Sequence, residues 1–289
     1  MAVSTEVDHV ILTRFNLPTV GFEQIVRAKE GWLKDRISLF ERYCIPSVVA
    51  QNKQSFSWLI YFDSESPEWL KKKVQGHVDD KLYTPLFRTS VGEEDVLRDI
   101  REFTGNVNER LITSNLDNDD AVATNFVERV QDAAPRHGRS AIFLSRGLIR
   151  TNTNLYLRRD KENAFCSVIS DWSSPSTCWS DWHTLLTKKM PSVHLYDEPA
   201  WLQVVHGLNV SNRVRGNLTG PSNYDYLFPG LIQDLPSPGG VELLSDYLRG
   251  RPIRFIRDFT RVLGKNVIIN LLGKDSIDRV KIIAERLRR

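Results

Sequence analysis

The chain has 289 residues, 41% of them hydrophobic and 26% charged, an ordinary composition for a soluble globular protein. The longest apolar stretch near the C-terminus, Val267-Ile268-Ile269-Asn270-Leu271-Leu272, is far too short to span a bilayer. The three cysteines (Cys44, Cys166, Cys178) show no metal-like pairing and are odd in number, and the first residues lack a signal-peptide pattern, so a reducing cytosol is expected. The net charge of +3 is unevenly spread: residues 236–289 hold 12 Lys/Arg against 6 Asp/Glu, the remainder 27 against 30.

In chain order, His9-Val10-Ile11-Leu12-Thr13 reads as a buried strand broken by Asn16-Leu17-Pro18. Leu33, Ile37, Phe40 and Cys44 then recur at helical spacing until Pro46 interrupts them. A second strand, Phe56 to Phe62, ends at Asp63. Glu68 to Gln75 reads as helix, Tyr83 to Phe87 as strand and Glu93 to Phe103 as helix. Leu111 to Leu116 is the fourth strand and delivers the acidic run Asp117-Asn118-Asp119-Asp120. Strands alternating with helices imply a largely parallel sheet with helices on both faces, whose ligands collect beyond the carboxyl ends of the strands.

Carboxylates emerging from a buried strand are held rigidly enough to take a hard divalent cation, Mg²⁺ or Mn²⁺, which prefers oxygen ligands. The alternative is a solvated turn in which Asp120 caps a helix starting at Ala121. Farther on, Ala141 to Leu144 is another buried strand. Residues 154–158 and 164–169 flank a turn-like Asp160-Lys161-Glu162-Asn163 and suggest a hairpin. Trp172, Trp179, Trp182 and Trp201 offer flat faces suited either to sugar rings or to the core. Ala200 to Val205 reads as a helix beginning near Pro199. Arg213 and Arg215, beside Gly216, can fold over a diphosphate or lie solvated.

This arrangement resembles a GT-A glycosyltransferase and, more narrowly, the bacterial "putative rhamnosyltransferase" family. The residues carrying the resemblance are 39–47 (LFERYCIPS), 58–63 (WLIYFD), 116–121 (LDNDDA) and 201–207 (WLQVVHG), within a span from about residue 9 to 215. Where that family often has a basic residue ahead of the acidic run, this chain has Asn115. The resemblance implies an α/β fold: a GT-A-like, Rossmann-type nucleotide-binding sheet, a mixed acceptor-binding half and a C-terminal helical tail. The expected divisions are 1–125 and 126–235 within a catalytic domain, then a basic tail over 236–289. It further implies that Asp63 contacts the base or ribose and that Asp117 and Asp119 form a DxD pair with Asp119 on the metal. Asp120 would reach the donor sugar, and His206 would bind metal or diphosphate unless it is a core histidine. For an inverting transfer the base candidates are Asp197 and Glu198 at the expected helix start, where Asp197 could equally be a cap, and Asp181.

The activity implied is Mn²⁺- or Mg²⁺-dependent transfer from a nucleotide-sugar donor to a glycan or lipid-linked acceptor. A nucleotidyltransferase, or a non-catalytic protein binding anionic lipid or polymer, are the alternatives; no nucleic-acid motif is present. In the tail, Arg254, Arg257, Arg261 and Lys265 share one helical face, beside Ile256, Phe259 and Leu263. That pattern suits either an anionic membrane surface at the inner face of the membrane or packing on the core.

Overall fold

Continuous apolar runs bounded by turn residues form the strands of a seven-stranded sheet. A computed structural model describes residues 7–18, 31–105, 108–206 and 213–257. The first half supplies β1 (Val7–Arg14), β2 (Ser57–Asp63), β3 (Thr84–Arg88) and β4 (Arg110–Asn115), all mutually parallel. Strands β6 (Ser140–Leu144), β9 (Ser167–Asp171) and β10 (Ser192–Leu195) complete the order β10-β6-β9-β4-β1-β2-β3, with β9 antiparallel to both neighbours. The sheet thus draws strands from both sides of residue 125. Helices α1 (Trp32–Leu39), α3 (Glu68–Asp79) and α4 (Glu93–Thr104) alternate with the parallel strands. One apolar core, including Phe15, Phe40, Trp58 and Phe62, is separate from a second, including Leu12, Tyr61, Ile100 and Phe143. Alternate residues of one strand, such as Ile11 and Leu12, enter different cores, as the two-residue strand period requires.

The helix expected to stop at Pro46 instead continues. Phe40–Cys44 forms a wide turn in which the Ile45 amide donates to the Phe40 carbonyl, and α2 (Ile45–Val49) follows with Pro46 in its first turn. A proline lacks the amide that a regular helix would need there, and its position at a helix start removes the clash. Widened turns of this kind frequently mark functional sites. Here the turn brings the Cys44 thiol to 3.7 Å from the carbonyl of Asp117.

A second sheet, in the order β12-β8-β7-β11-β5, comprises β5 (Ala121–Val122), β7 (Arg146–Arg150), β8 (Leu155–Arg159), β11 (Trp201–Val204) and β12 (Asn217–Thr219). Leu227, Phe228, Leu231 and Ile232 pack against it. Three expectations are corrected here. Ala121 begins a strand, and the next helix, α5, is Phe126–Ala133. Residues 154–158 and 164–169 do not form a hairpin, because β8 pairs with β7 while β9 belongs to the larger sheet. Residues 201–204 are strand, paired with both β7 and β5, where the sequence suggests a helix over 200–205. A short apolar run satisfies either period, and here two waiting strand edges decide it.

Gly147 of β7 faces the Trp201 ring so closely that a Cβ there would lie 2.0 Å from the indole. The indole consequently lies flat against the sheet, stacks on Phe165 at 5.1 Å and donates to the Leu144 carbonyl at 2.9 Å.

The tail begins with α7 (Gly240–Ser245), and helical structure continues through 257. Arg254, expected on an outward basic face, turns to the core: it ion-pairs with Asp246 at 2.7 Å, donates to the Gly216 carbonyl at 3.0 Å and lies 4.9 Å over Tyr156. Arg257 donates to the Val214 carbonyl at 3.4 Å. Arg261 and Lys265 lie outside the described residues.

Candidate active site

β4 ends at Asn115, and the next five residues fold into a turn tied down at nearly every position. Leu116 donates its amide to Leu12 of β1, and the Asp120 amide reaches the Asp117 carbonyl at 3.3 Å. Asn118 is the staple: its side-chain amide donates to the carbonyls of Arg14 (3.1 Å) and Phe15 (2.6 Å), and its oxygen accepts from Arg36 at 3.1 Å. Buried backbone carbonyls need such partners, so an asparagine within an acidic run has a structural reason to be there.

The three carboxylates face different surroundings. Asp119 is buried at 5% exposure, 2.5 Å from the Arg36 guanidinium of α1 and 3.0 Å from Nε2 of His206. Burial works to raise its pKa, but the hydrogen bond from His206 and the charge of Arg36 outweigh it and hold the carboxyl below its ordinary value. Asp120, 1% exposed, accepts the Val204 amide of β11 at 2.8 Å. Its burial, then the charges of Asp119 and Asp117, push its pKa well above the carboxylate range. Asp117 turns outward into a cavity. Enclosure by the cavity walls and then the Asp119 charge raise its pKa to about 6, even though solvent reaches the side chain.

That cavity has a volume of about 860 Å³, within the range of small-molecule sites. Asp117, Arg14, Asn115 and Trp179 line its inner wall, together with Trp201 and Phe165. The Trp179 indole donates to Asn115 at 2.7 Å, and Arg14 lies 4.2 Å over the same ring. Asn115 therefore orients an aromatic wall, and the neighbouring strand supplies the positive charge in Arg14. Arg158, Arg213 and Arg215 line it as well, and so does a wall formed where the 160–163 loop is tied to the helix after Trp182, with Asp160, Glu162, Asp181 and Trp182.

The structure thus gathers Asp117, Asp119, Asp120 and His206 at one point and puts Asp117, Arg213, Arg215 and Asp181 on the cavity. His206 is not a core histidine on a helix; it follows β11 and meets the acidic turn across 87 residues. Asp120 caps no helix; its acceptor role fixes β11 to the turn. Asp63 stands at the carboxyl end of β2, where its amide donates to Asn16 at 3.0 Å and its carboxylate accepts from Glu65 at 2.9 Å. It is not among the residues lining the cavity.

The base candidates are rearranged. Asp197 and Glu198 precede a strand, so there is no helix for them to begin. Asp197 pairs with Arg129 of α5, Glu198 accepts from the Tyr226 hydroxyl at 2.7 Å, and neither lines the cavity. Asp181 does line it, but its carboxylate pairs with Lys189 at 2.6 Å and accepts the Trp182 amide at 2.7 Å. The Lys189 hydrogen bond and then that amide lower its pKa, which weakens it as a base. Sequence reasoning missed Arg36, Arg14 and Glu162. The i,i+4 spacing of Trp32 and Arg36 was the available signal for the first, whose guanidinium stacks 5.1 Å over that indole.

Residues 8–218, nearly three-quarters of the chain, match the family described as "Putative rhamnosyl transferase". The chain belongs to this family. No curated protein matches it. Among solved structures, the chain is similar to residues 1–349 of S. aureus TarS in complex with UDP-GlcNAc, with 8% identity and a TM-score of 0.43; the likeness covers 72% of this chain and 62% of that one. The same TarS segment in complex with UDP gives 10% identity and a TM-score of 0.40 over 69% and 61%. A cytidylyltransferase from Leptospira borgpetersenii gives 11% identity and a TM-score of 0.34 over 68% and 77%. The chain therefore spans less than two-thirds of the TarS segment it resembles.

Proposed function

We propose that this chain is a glycosyltransferase that moves a sugar from a nucleoside diphosphate to a hydroxyl of a glycan or lipid-linked acceptor. The observation that carries the reading is the 3.0 Å contact between Asp119 and His206 at the carboxyl ends of β4 and β11. Beside it, Asp117 opens into an arginine-lined cavity.

Mn²⁺ or Mg²⁺ fits these donors. Among the described residues no group of three acidic, histidine or cysteine side chains is placed to hold a metal ion, so the protein would supply two donors. Magnesium sites in phosphate-handling enzymes typically use one or two carboxylates and take the remaining ligands from substrate phosphates and water. Asp119 and His206, already in contact, would hold the ion, with Asp117 on the adjoining cavity, and it would supply positive charge against the departing diphosphate. The chain's own residues do the rest. Arg213, Arg215 and Arg14 offer cavity-lining guanidinium groups for phosphate oxygens, and Asp120 locks β11 against the acidic turn so that His206 is positioned. Asp63, at its strand end, remains the candidate for the base or ribose. Inversion is proposed for the transfer, with a carboxylate of the same cavity to take the acceptor proton.

Calorimetric titration with UDP, GDP and dTDP, with and without Mn²⁺, tests the donor reading. One nucleotide is expected to bind, and more tightly with the ion; equal absence of binding for all three removes the reading. Released nucleoside diphosphate is the expected product, whereas pyrophosphate would identify a nucleotidyltransferase.

The tail supports peripheral contact with an anionic lipid surface. Val241 (83% exposed), Leu248 (62%) and Phe255 (71%) leave apolar side chains in water beside Arg249 and Arg251. No described helix is long and apolar enough to cross a membrane. Sedimentation with anionic vesicles is expected to carry down the chain, and the triple change of Val241, Leu248 and Phe255 to Ser to release it.

A further inference from the structure

The cavity also carries carboxylates and aromatic side chains that are not needed to hold a diphosphate. Trp182 is the informative one. It lines the cavity and is 73% exposed, whereas Trp58, Trp172 and Trp201 are all at 7% or less. Its backbone is nonetheless fixed. The Trp182 amide donates to Asp181, and its carbonyl accepts the amides of Leu185 and Leu186, at 2.7 and 3.2 Å, where α6 (His183–Lys189) begins. A large apolar ring held out over a cavity from a rigid base is a platform for a flat, partly apolar ligand face.

Glu162 stands in the same wall. The hydroxyl of Thr187 on α6 donates to it at 3.2 Å, which ties the 160–163 loop to the helix carrying Trp182. The other two carboxylates of the wall face cations: Asp181 pairs with Lys189, and Asp160 lies 3.4 Å from Arg158. Among the described residues Glu162 has no ion-pair partner. Burial lowers the pKa of the adjacent His183, against the opposing pull of Asp160 and Glu162.

We propose that this wall is the acceptor subsite, that it takes an uncharged sugar with its ring on Trp182, and that Glu162 receives the proton of the attacking hydroxyl. The inference rests on the donor reading above. In the step, the hydroxyl proton passes to the Glu162 carboxylate as the oxygen bonds to the anomeric carbon of the donor sugar. The bond from that carbon to the diphosphate oxygen breaks, and its electron pair leaves with the nucleoside diphosphate. An uncharged acceptor follows from the charge pattern. A phosphate or carboxylate on the acceptor would meet Asp160 and Glu162, and the one arginine beside them, Arg158, is already paired with Asp160.

The test uses the full chain and two readouts. With the preferred nucleoside diphosphate and Mn²⁺ saturating, saturation-transfer NMR is run on the 4-nitrophenyl β-glucoside, β-galactoside and α-rhamnoside and on the 4-nitrophenyl glucuronide. At least one neutral glycoside is expected to bind and the glucuronide to fail. Trp182→Ala should weaken glycoside binding about tenfold, the size of one lost stacking contact, and Trp182→Phe should retain most of it. Nucleotide affinity should be unchanged in both. Glu162→Gln should preserve glycoside binding and lower transfer from the nucleotide sugar by about 10²–10⁴-fold. Binding of nucleotide without any glycoside overturns the subsite alone, as do glycoside affinities insensitive to Trp182→Ala. Near-normal transfer by Glu162→Gln overturns the base assignment. Failure of the nucleotide titration itself removes the reading on which the subsite depends.

Discussion

The acidic turn and the outer wall of the cavity are both rich in carboxylates, yet they treat charge in opposite ways. In the turn, Asp119 and Asp120 are buried and bonded to Arg36, His206 and the Val204 amide. In the wall, Asp160, Glu162 and Asp181 border an open cavity and hold few protein partners. Buried charge must be over-determined because an unsatisfied ion there is costly, so the turn is rigid and couples function to stability. Carboxylates in contact with solvent carry little such penalty and can be altered without consequence for the fold. The comparison separates residues that build the turn from residues that border the open cavity.

The largest effect that could break this contrast is expected at Asp119. If its strand end were a solvated turn, the alternative the sequence offers, its loss would leave the fold intact. Its burial against Arg36 predicts that Asp119→Ala strands a guanidinium and costs about 3–5 kcal/mol, besides abolishing Mn²⁺-dependent nucleotide binding. Denaturant unfolding checks the first and calorimetry the second; a variant as stable as the parent would erase the distinction. Adding Arg36→Met should recover most of the stability and none of the binding.

Acid sharpens the buried side further. His9 of β1 is 3% exposed, Nε2 lies 2.9 Å from Ser114 and Nδ1 lies 3.2 Å from the Gln131 amide. Desolvation, with a smaller contribution from Lys53, lowers its pKa to about 3. The folded state keeps the ring neutral while the unfolded chain protonates it near 6.5, so its contribution is intact above that value. It is lost progressively as pH falls from about 6.5 to about 3, at roughly 1.4 kcal/mol per unit. Unfolding measured across that window should show the slope, and His9→Gln should flatten it.

Smaller effects belong to the exposed side. Asp181→Asn should leave stability nearly unchanged, since its partner Lys189 is half exposed. Smallest of all, Asp197→Asn and Glu198→Gln should leave turnover within about twofold, because neither reaches the cavity and exposed pairs contribute little. A loss of 10²-fold in either would return them to the chemistry.

Much of the nucleotide-side architecture was legible. Strands β1, β2 and β4 announce themselves as apolar runs closed by turn residues, and the acidic run marks the end of β4. His206 was legible only through family resemblance, since nothing local in the sequence says that residues 119 and 206 meet. The second sheet was not legible. Residues 201–204 obey helical and strand patterns alike, and only the free edges of β7 and β5 choose between them. The error then propagated: a helix at Pro199 made Asp197 and Glu198 look like catalytic residues at its start. Arg36 was hidden for a different reason, because a cation on an amphipathic helix looks solvated until the element opposite it is known.

The absence of a side chain at Gly147 also sets a dimension. Trp201 lies flat only because that position offers no Cβ, and its indole is part of the inner wall beside Phe165. Even an alanine at 147 would have to displace the indole, and the open space in front of it is the cavity itself. The depth available to a ligand is therefore governed from behind, by a residue that does not line the cavity. Size variation among donor sugars could be accommodated, or refused, through one methyl group in the second layer.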